Sequence, residues 1–124
     1  MIIRVDPDAA LPVYEQIRLQ IQRMAVSGTL PAGARLPTIR QLAADLGLAK
    51  GTVSRAYEML DADRVIESRG RQGTYVAEMT VTVTEGQDER LARAAEAFAV
   101  IARQFGVDED DAHAALSTAW DSLN

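Results

Sequence analysis

The stretch from Thr38 to Leu60, TIRQLAADLGLAKGTVSRAYEML, constrains this chain more than any other part of its sequence. Its apolar residues recur at helical spacing in two groups: Ile39, Leu42, Ala43 and Leu46, then Val53, Ala56, Tyr57 and Leu60. Gly47 stands between them, the residue best able to take the left-handed conformation that ends a helix. Thr38 and Gln41 have the spacing of a capping box, in which side chain and backbone satisfy each other. The stretch therefore reads as two short helices and a tight turn. The second helix starts near Lys50, and Gly51, Ser54, Arg55 and Glu58 fall opposite its apolar stripe.

Such a pair is either a plain packed hairpin or a helix-turn-helix that lays its second helix in the major groove of DNA. The groove admits a helix, and a helix N-terminus carries partial positive charge that suits phosphate. The flanking segments favour DNA. Residues 65–68 and 74–77 have strand character and enclose the tip Arg69-Gly70-Arg71-Gln72-Gly73. A hairpin directly after a helix-turn-helix is a wing, and its arginines suit phosphate or the negative potential of the minor groove.

Upstream, residues 12–27 form a first helix with Pro12 at an early position. Val13, Ile17, Ile21 and Met24 line one face; Leu19 and Val26 lie roughly opposite, which predicts cover on a second side. Gly28 ends this helix, TLPAGARLP is a loop, and Arg35-Leu36 is a candidate short strand.

Downstream, apolar residues alternate with threonine over 79–84, an extended linker or short strand. A helix over 87–105 carries Leu91, Ala94, Phe98, Ile101 and Phe105 on one stripe and stops at Gly106. Asp108 caps a last helix with Glu109, Asp110 and Asp111 at its positive end and a stripe of Ala112, Ala115, Leu116, Ala119, Trp120 and Leu123. Two helices this short cannot bury both stripes alone. They pack on the first domain or on a second copy, and a symmetric dimer is the economical solution. Leu91, Phe98, Ile101, Phe105, Leu116 and Trp120 are the expected anchors of a homodimer. The fold class is thus mainly α with a small β-hairpin: a winged helix-turn-helix over 1–77, a linker over 78–86 and a helical dimerisation region over 87–124.

The net charge of −5 looks wrong for a DNA binder until it is divided. Through Ala77 there are ten basic residues against eight acidic, a balance of +2; beyond it three stand against ten, a balance of −7. The first part can face phosphate and the second is repelled by it. With no cysteine there is no disulfide framework, thiol nucleophile or thiolate metal site, which is compatible with a reducing cytosol. The N-terminus MIIRVDPDAALP is too polar for a signal peptide, and no apolar run is long enough to span a bilayer. A cytoplasmic protein without membrane contact is expected.

No catalytic constellation emerges. His113 is the only histidine, and neither Ser117 nor Ser122 has a fixed third partner beside it. Asp110 and His113 are one turn apart, too few placed ligands for a metal. Phosphate-loop and dinucleotide motifs are absent, so no enzyme, metal or cofactor is expected. A ligand pocket of several hundred cubic ångströms would have to form at a dimer interface.

RLPTIRQLA, GTVSRAYEML and GTYV, in this order and spacing, resemble the GntR family of bacterial transcription regulators. The resemblance covers essentially the whole chain, and the two-helix tail is similar to the YtrA-type subfamily, in which such a region serves dimerisation. It implies roles. Arg40 matches an arginine of the first helix that contacts DNA, and Thr38 a hydroxyl that contacts phosphate. Lys50, Gly51 and Thr52 match the start of the recognition helix, Ser54 and Arg55 its outward face, and Arg69, Gly70 and Arg71 the wing tip. It also implies repression of a nearby transporter operon through a two-fold-symmetric operator in double-stranded DNA, released by a small-molecule effector.

The chain departs from the family pattern in three places. Ala49 stands where serine or threonine is usual, which removes a cap worth ~1 kcal/mol. Arg64 stands where a glycine commonly ends the recognition helix; in a left-handed conformation it costs ~1 kcal/mol. Gly70 and Arg71 invert the usual basic-then-glycine order of the wing. The alternative function is a winged-helix protein-interaction module whose acidic tail binds a basic partner. Steep weakening of binding with salt separates DNA recognition from that alternative.

Overall fold

The computed structural model describes residues 1–78 and 85–123. The chain divides into two units, Met1–Met79 and Thr80–Asn124. The first unit is built on α1 (Val13–Ser27), β1 (Arg35–Leu36), α2 (Ile39–Leu46), α3 (Lys50–Ala62), β2 (Ile66–Ser68) and β3 (Thr74–Val76). The second contains α4 (Glu85–Gln104) and α5 (Glu109–Ser122).

Helix α1 starts after Pro12, whose φ of −55° and ψ of 148° put it just outside the helix rather than within its first turn. Ile17 and Ile21 are fully buried and Ala25 nearly so, as their spacing requires. Leu19 and Val26 remain exposed, so nothing within the first unit's described residues gives the expected cover on a second side. What lies beside the apolar face is the N-terminal segment, held by two glutamines one turn apart. The Gln16 amide accepts from the Asp6 N–H at 2.8 Å and donates to the Asp6 carbonyl at 2.8 Å. Gln20 does the same with Arg4, at 3.0 and 2.7 Å. Each amide supplies one donor and one acceptor, as a neighbouring strand would. Ile3 is thereby buried in the core.

Helix α2 opens on the capping box: the Gln41 N–H donates to the Thr38 hydroxyl at 3.1 Å, and the Thr38 N–H to the Gln41 side-chain oxygen at 3.0 Å. It closes at Gly47, φ 67°, with the Gly47 N–H on the Ala44 carbonyl and the Leu48 N–H on that of Ala43. This paired closure satisfies two orphan carbonyls and needs a left-handed residue at its centre. Helix α3 closes by the same pair of bonds, Arg64 N–H to Asp61 and Val65 N–H to Leu60, at 3.0 and 2.9 Å. Here the left-handed residue is Arg64, φ 60°, the one non-glycine with positive φ among the described residues. Val65 and Leu60 are both buried, the apolar contact that accompanies such a closure.

Val53, Ala56, Tyr57 and Leu60 of α3 join Leu42, Ala43, Ile17 and Ile21 in a single core. The three strands form an antiparallel sheet in the order β1-β3-β2. Ile66 pairs with Val76, and Leu36 with Thr74; Leu36, Ile66 and Val76 are buried. A single 3₁₀ turn, Gly70–Gln72, makes the tip between β2 and β3. The sheet is mainly antiparallel ribbon plus the β1 edge strand, in a mainly helical chain with a winged-helix unit.

In the second unit α4 begins at Glu85, two residues earlier than its apolar period suggests, a boundary that periodicity alone does not mark. Asp108 caps α5 by accepting from the Asp111 N–H at 2.8 Å. Residues 79–84, expected as a linker, lie outside the described residues.

The strain at Arg64 makes a direct prediction. Arg64→Gly should raise the stability of the first unit by roughly 0.5–1 kcal/mol, the relief of a left-handed Cβ less the added freedom of the unfolded glycine. Thermal or urea unfolding checks this. Arg64→Ala keeps the Cβ and should gain nothing, so equal gains in both variants would refute strain as the cause.

Candidate nucleic-acid interface

The N-terminal ends of α2 and α3 and the tip of the sheet carry the residues picked out by sequence. Thr38 is exposed, and the cap occupies its oxygen as acceptor while leaving the hydroxyl proton to donate. Arg40 is exposed in the first turn of α2. Lys50 and Gly51 are exposed and Thr52 half-buried at the start of α3. Ala49 precedes them with φ −68° and ψ 145° and contributes no side-chain cap. The opening amides of α3 therefore lack a side-chain acceptor from the N-cap, and together with Lys50 they form a site suited to an anion.

Three of the expected residues are engaged within the protein. Ser54 is half-buried and donates to Glu58 Oε1 at 3.4 Å. The Arg55 guanidinium lies 3.9 Å from the centre of the Tyr14 ring, on α1, rather than standing free. It adds to the field of Arg18, which binds Glu15 through two bonds of 2.9 and 2.7 Å. Those bonds to Arg18, with a smaller contribution from Arg55, hold the Glu15 carboxyl below the ordinary carboxylate range. Arg69 stands 3.6 Å from Glu67 and 4.3 Å from the centre of the Tyr75 ring. By contrast Arg35, Arg40, Lys50 and Arg71 have no side-chain hydrogen bond or ion pair among the described residues.

Sequence reasoning passed over the tyrosines. Tyr57 belongs to the apolar stripe of α3, yet its hydroxyl donates to the Pro37 carbonyl at 2.7 Å. Pro37 immediately precedes Thr38, so this bond ties α3 to the entrance of α2 across the core. Burial pushes the Tyr57 phenol up to about 12. A small groove of about 180 Å³, lined by Tyr57 with Ile39, Ser54 and Thr74, lies next to this bond. A helical tyrosine at an apolar position can always carry such a bond, but its acceptor is legible only in three dimensions.

The expected dimerisation residues lie on the helices of the second unit. Leu91, Phe105 and Trp120 are 70%, 76% and 68% exposed, and Phe98, Ile101 and Leu116 are exposed as well. A cavity of about 560 Å³ opens between α4 and α5, lined by Phe98, Ala102, Val107, Ala112, His113 and Leu116. The expectation that a pocket of this size requires a dimer interface is therefore corrected: the elbow at Gly106 forms one within a single chain. The histidine sits 3.6 Å from Glu109, with both side chains open to solvent. Among the described residues no cluster of potential metal ligands is found, and no helix is long and apolar enough to cross a membrane.

Residues 13–76, α1 to the end of the wing, match the family described as bacterial regulatory proteins, gntR family. The chain belongs to the gntR family. It is a DNA-binding transcription regulator of winged-helix type. Over 110 residues it is 40% identical to the HTH-type transcriptional regulator Rv1152 of Mycobacterium tuberculosis, covering 89% of this chain and 87% of that one. It is 31% identical to the HTH-type transcriptional repressor YtrA of Bacillus subtilis, covering 90% and 86%. The solved structure of YtrA from Sulfolobus acidocaldarius, a GntR-family transcription factor, aligns with a TM-score of 0.66 at 27% identity, covering 98% and 99%. The similarity extends through the two-helix tail, which places this gntR protein beside the YtrA-type members.

The Tyr57–Pro37 bond should be measurable. Tyr57→Phe should lower stability by about 1 kcal/mol at neutral pH, since it strands the Pro37 carbonyl. The raised phenol also has a pH signature. Between pH 10 and about 12 the unfolded chain has lost the proton that the folded chain keeps, so stability falls with rising pH, by at most ~1.4 kcal/mol per unit. Urea unfolding across that window should show the fall in the parent beyond any in Tyr57→Phe. Parallel curves would mean that the phenol is not held in the core.

Proposed function

We propose that this gntR-family protein is a cytoplasmic repressor, not an enzyme, that binds a two-fold-symmetric operator as a homodimer. Each α3 lies in the major groove of one half-site. The observation that carries this reading is the start of α3, where Ala49 gives no side-chain cap and Lys50 and Gly51 are exposed, together with the exposed Arg40 of α2; neither Lys50 nor Arg40 has a side-chain hydrogen bond or ion pair among the described residues. Arg40 and Lys50 are the base-reading candidates, by paired or single bonds to guanine. Thr38, Gly51 and Thr52 contribute phosphate contacts through hydroxyl and backbone groups; Gly70 and Arg71 do so at the wing. Ser54, Arg55 and Arg69 would have to exchange an internal partner for DNA.

The tail supports the dimer. Its exposed apolar stripe through Leu91, Phe98, Ile101, Phe105, Leu116 and Trp120 is the kind of surface that an isolated chain does not leave open to water. Release by a small-molecule effector completes the reading, and the cavity between α4 and α5 is of ligand size.

Selection from random duplex DNA at moderate salt should enrich a site with two-fold symmetry. Arg40→Ala should then weaken binding to that site by ~1–3 kcal/mol and relax base choice at one position per half-site. If it binds selected and random duplexes as the parent does, Arg40 reads no base. In sedimentation, Trp120→Ala should shift the monomer–dimer equilibrium by ~2 kcal/mol or more toward monomer. A variant that remains dimeric at nanomolar concentration removes Trp120 from the interface.

A further inference from the structure

We infer that Arg35, together with Arg71, makes the wing's contact to the DNA backbone, and that Arg69 serves mainly to hold the wing in shape. The inference rests on the DNA-binding reading above and concerns which cations carry it.

Residues directly opposite in an antiparallel sheet point to the same face. Tyr75 of β3 is opposite both Arg35 of β1 and Glu67 of β2, so these three share one face of the sheet. The other face carries the buried Leu36, Ile66 and Val76. Arg69 is drawn onto the solvent face, over the Tyr75 ring at 4.3 Å and against Glu67 at 3.6 Å. Its charge already has a counterion. To reach a phosphate it must leave the ring and abandon Glu67, whose carboxylate would then face the DNA unpaired.

Arg35 has neither restraint. No hydrogen bond or ion pair holds its side chain among the described residues. Its side chain runs along the sheet toward the wing tip: a Cβ built on Gly73 would lie 3.0 Å from Arg35 Nε and 3.2 Å from Nη2. A side chain at position 73 would push the Arg35 guanidinium aside by a few tenths of an ångström. Gly73 also has φ 107°, which only glycine takes readily, so two requirements meet at one position. The strand that carries Arg35 leads directly into Thr38 and Arg40. Arg35 therefore stands between the wing tip and the start of α2, the two places where the proposed DNA backbone must pass.

Counterion release provides the test, because a free cation that meets a phosphate adds ~0.9 to the salt slope of binding. A cation already paired with a carboxylate adds less. The selected duplex would be titrated by fluorescence anisotropy with the full chain from low to moderate salt. Arg35→Gln should bind about five- to tenfold more weakly near 0.1 M salt and lose ~0.9 of slope, while Arg35→Lys keeps the slope. Arg69→Gln should keep most of it. The inference is overturned if Arg35→Gln matches the parent in affinity and slope, or if Arg69→Gln loses as much slope as Arg35→Gln. A second measurement needs no variant: in arginine Nε–H spectra of the parent, the Arg35 resonance should shift on adding duplex while that of Arg69 stays. The reverse pattern overturns the inference. A parent protein that binds no duplex overturns the DNA-binding reading itself, an outcome distinct from any of these.

Discussion

Val53, Ala56 and Leu60 are fully buried and Tyr57 nearly so, and these four residues set the rotation of α3 about its own axis. At 3.6 residues per turn, a one-residue slip would swing the helix by about 100° and bring a polar face onto Ile17, Ile21 and Leu42. Burying an uncompensated charge or amide costs several kcal/mol, so the slip is forbidden. Everything proposed for recognition depends on this. Because the apolar face is held against α1 and α2, Gly51 and Glu58 must face solvent, and Lys50 must stand at an open helix end. The Tyr57–Pro37 bond carries the same constraint to α2, so the capping box at Thr38 and the first turn with Arg40 are aimed by the core that aims α3.

Charge acts through position, and counting overstates it. The winged-helix part has a balance of only +2, and several of its cations are internally committed. Arg18 is spent on Glu15, Arg69 on Glu67, and Arg55 on the face of Tyr14. Of the first unit's cations without a side-chain hydrogen bond or ion pair among the described residues, Arg40 and Lys50 stand at helix starts and Arg35 and Arg71 on the sheet and its tip, while Arg4, Arg23 and Arg64 lie elsewhere. A protein with a negative total can therefore bind a polyanion, since phosphates within a Debye length of about 8 Å feel the local set rather than the sum. The absent cap at Ala49 fits this economy. A serine there would offer the opening amides of α3 a side-chain acceptor; with alanine the Thr52 N–H turns to the Ala49 carbonyl at 3.2 Å, and the lost cap costs about 1 kcal/mol.

Most of the fold was legible because it rests on local rules. Helical period marked the stripes of α2, α3, α4 and α5; Thr38 with Gln41 and Asp108 with Asp111 were readable as caps from spacing alone. Arg64 could be suspected because a left-handed closure was expected where no glycine stood. The rest depended on contacts distant in sequence. Gln16 and Gln20 carry no mark in the helical period, yet they pair with the backbone of Asp6 and Arg4. Leu19 and Val26 looked like a second apolar face, yet they stay exposed. Arg55 has the right spacing to face outward, but an arginine side chain is long enough to fold back, and only the packing of α1 shows that Tyr14 waits there. The role of Arg35 needed the register of β1 with β3, which no local pattern encodes.

On the proposed reading of a homodimer that binds DNA, salt would act on the two units with opposite signs. Beyond Ala77 the balance is −7, much of it in Asp108, Glu109, Asp110 and Asp111. Those carboxylates stabilise the start of α5 through the helix dipole and its cap. On the proposed reading they also come near a second tail with the same charge, so pairing must be driven by apolar area against repulsion. Screening would relieve that repulsion and strengthen the pairing, while it would weaken the proposed contacts of Arg35, Arg40, Lys50 and Arg71 to phosphate. At about 25 cal/mol per Å² of apolar surface, burial of a few aromatic and leucine side chains outweighs screened surface repulsion, which seldom exceeds about 1 kcal/mol per pair. The dimer would then persist at salt concentrations that release DNA. Its half-site spacing would be set by the apolar tail before the cations meet the groove.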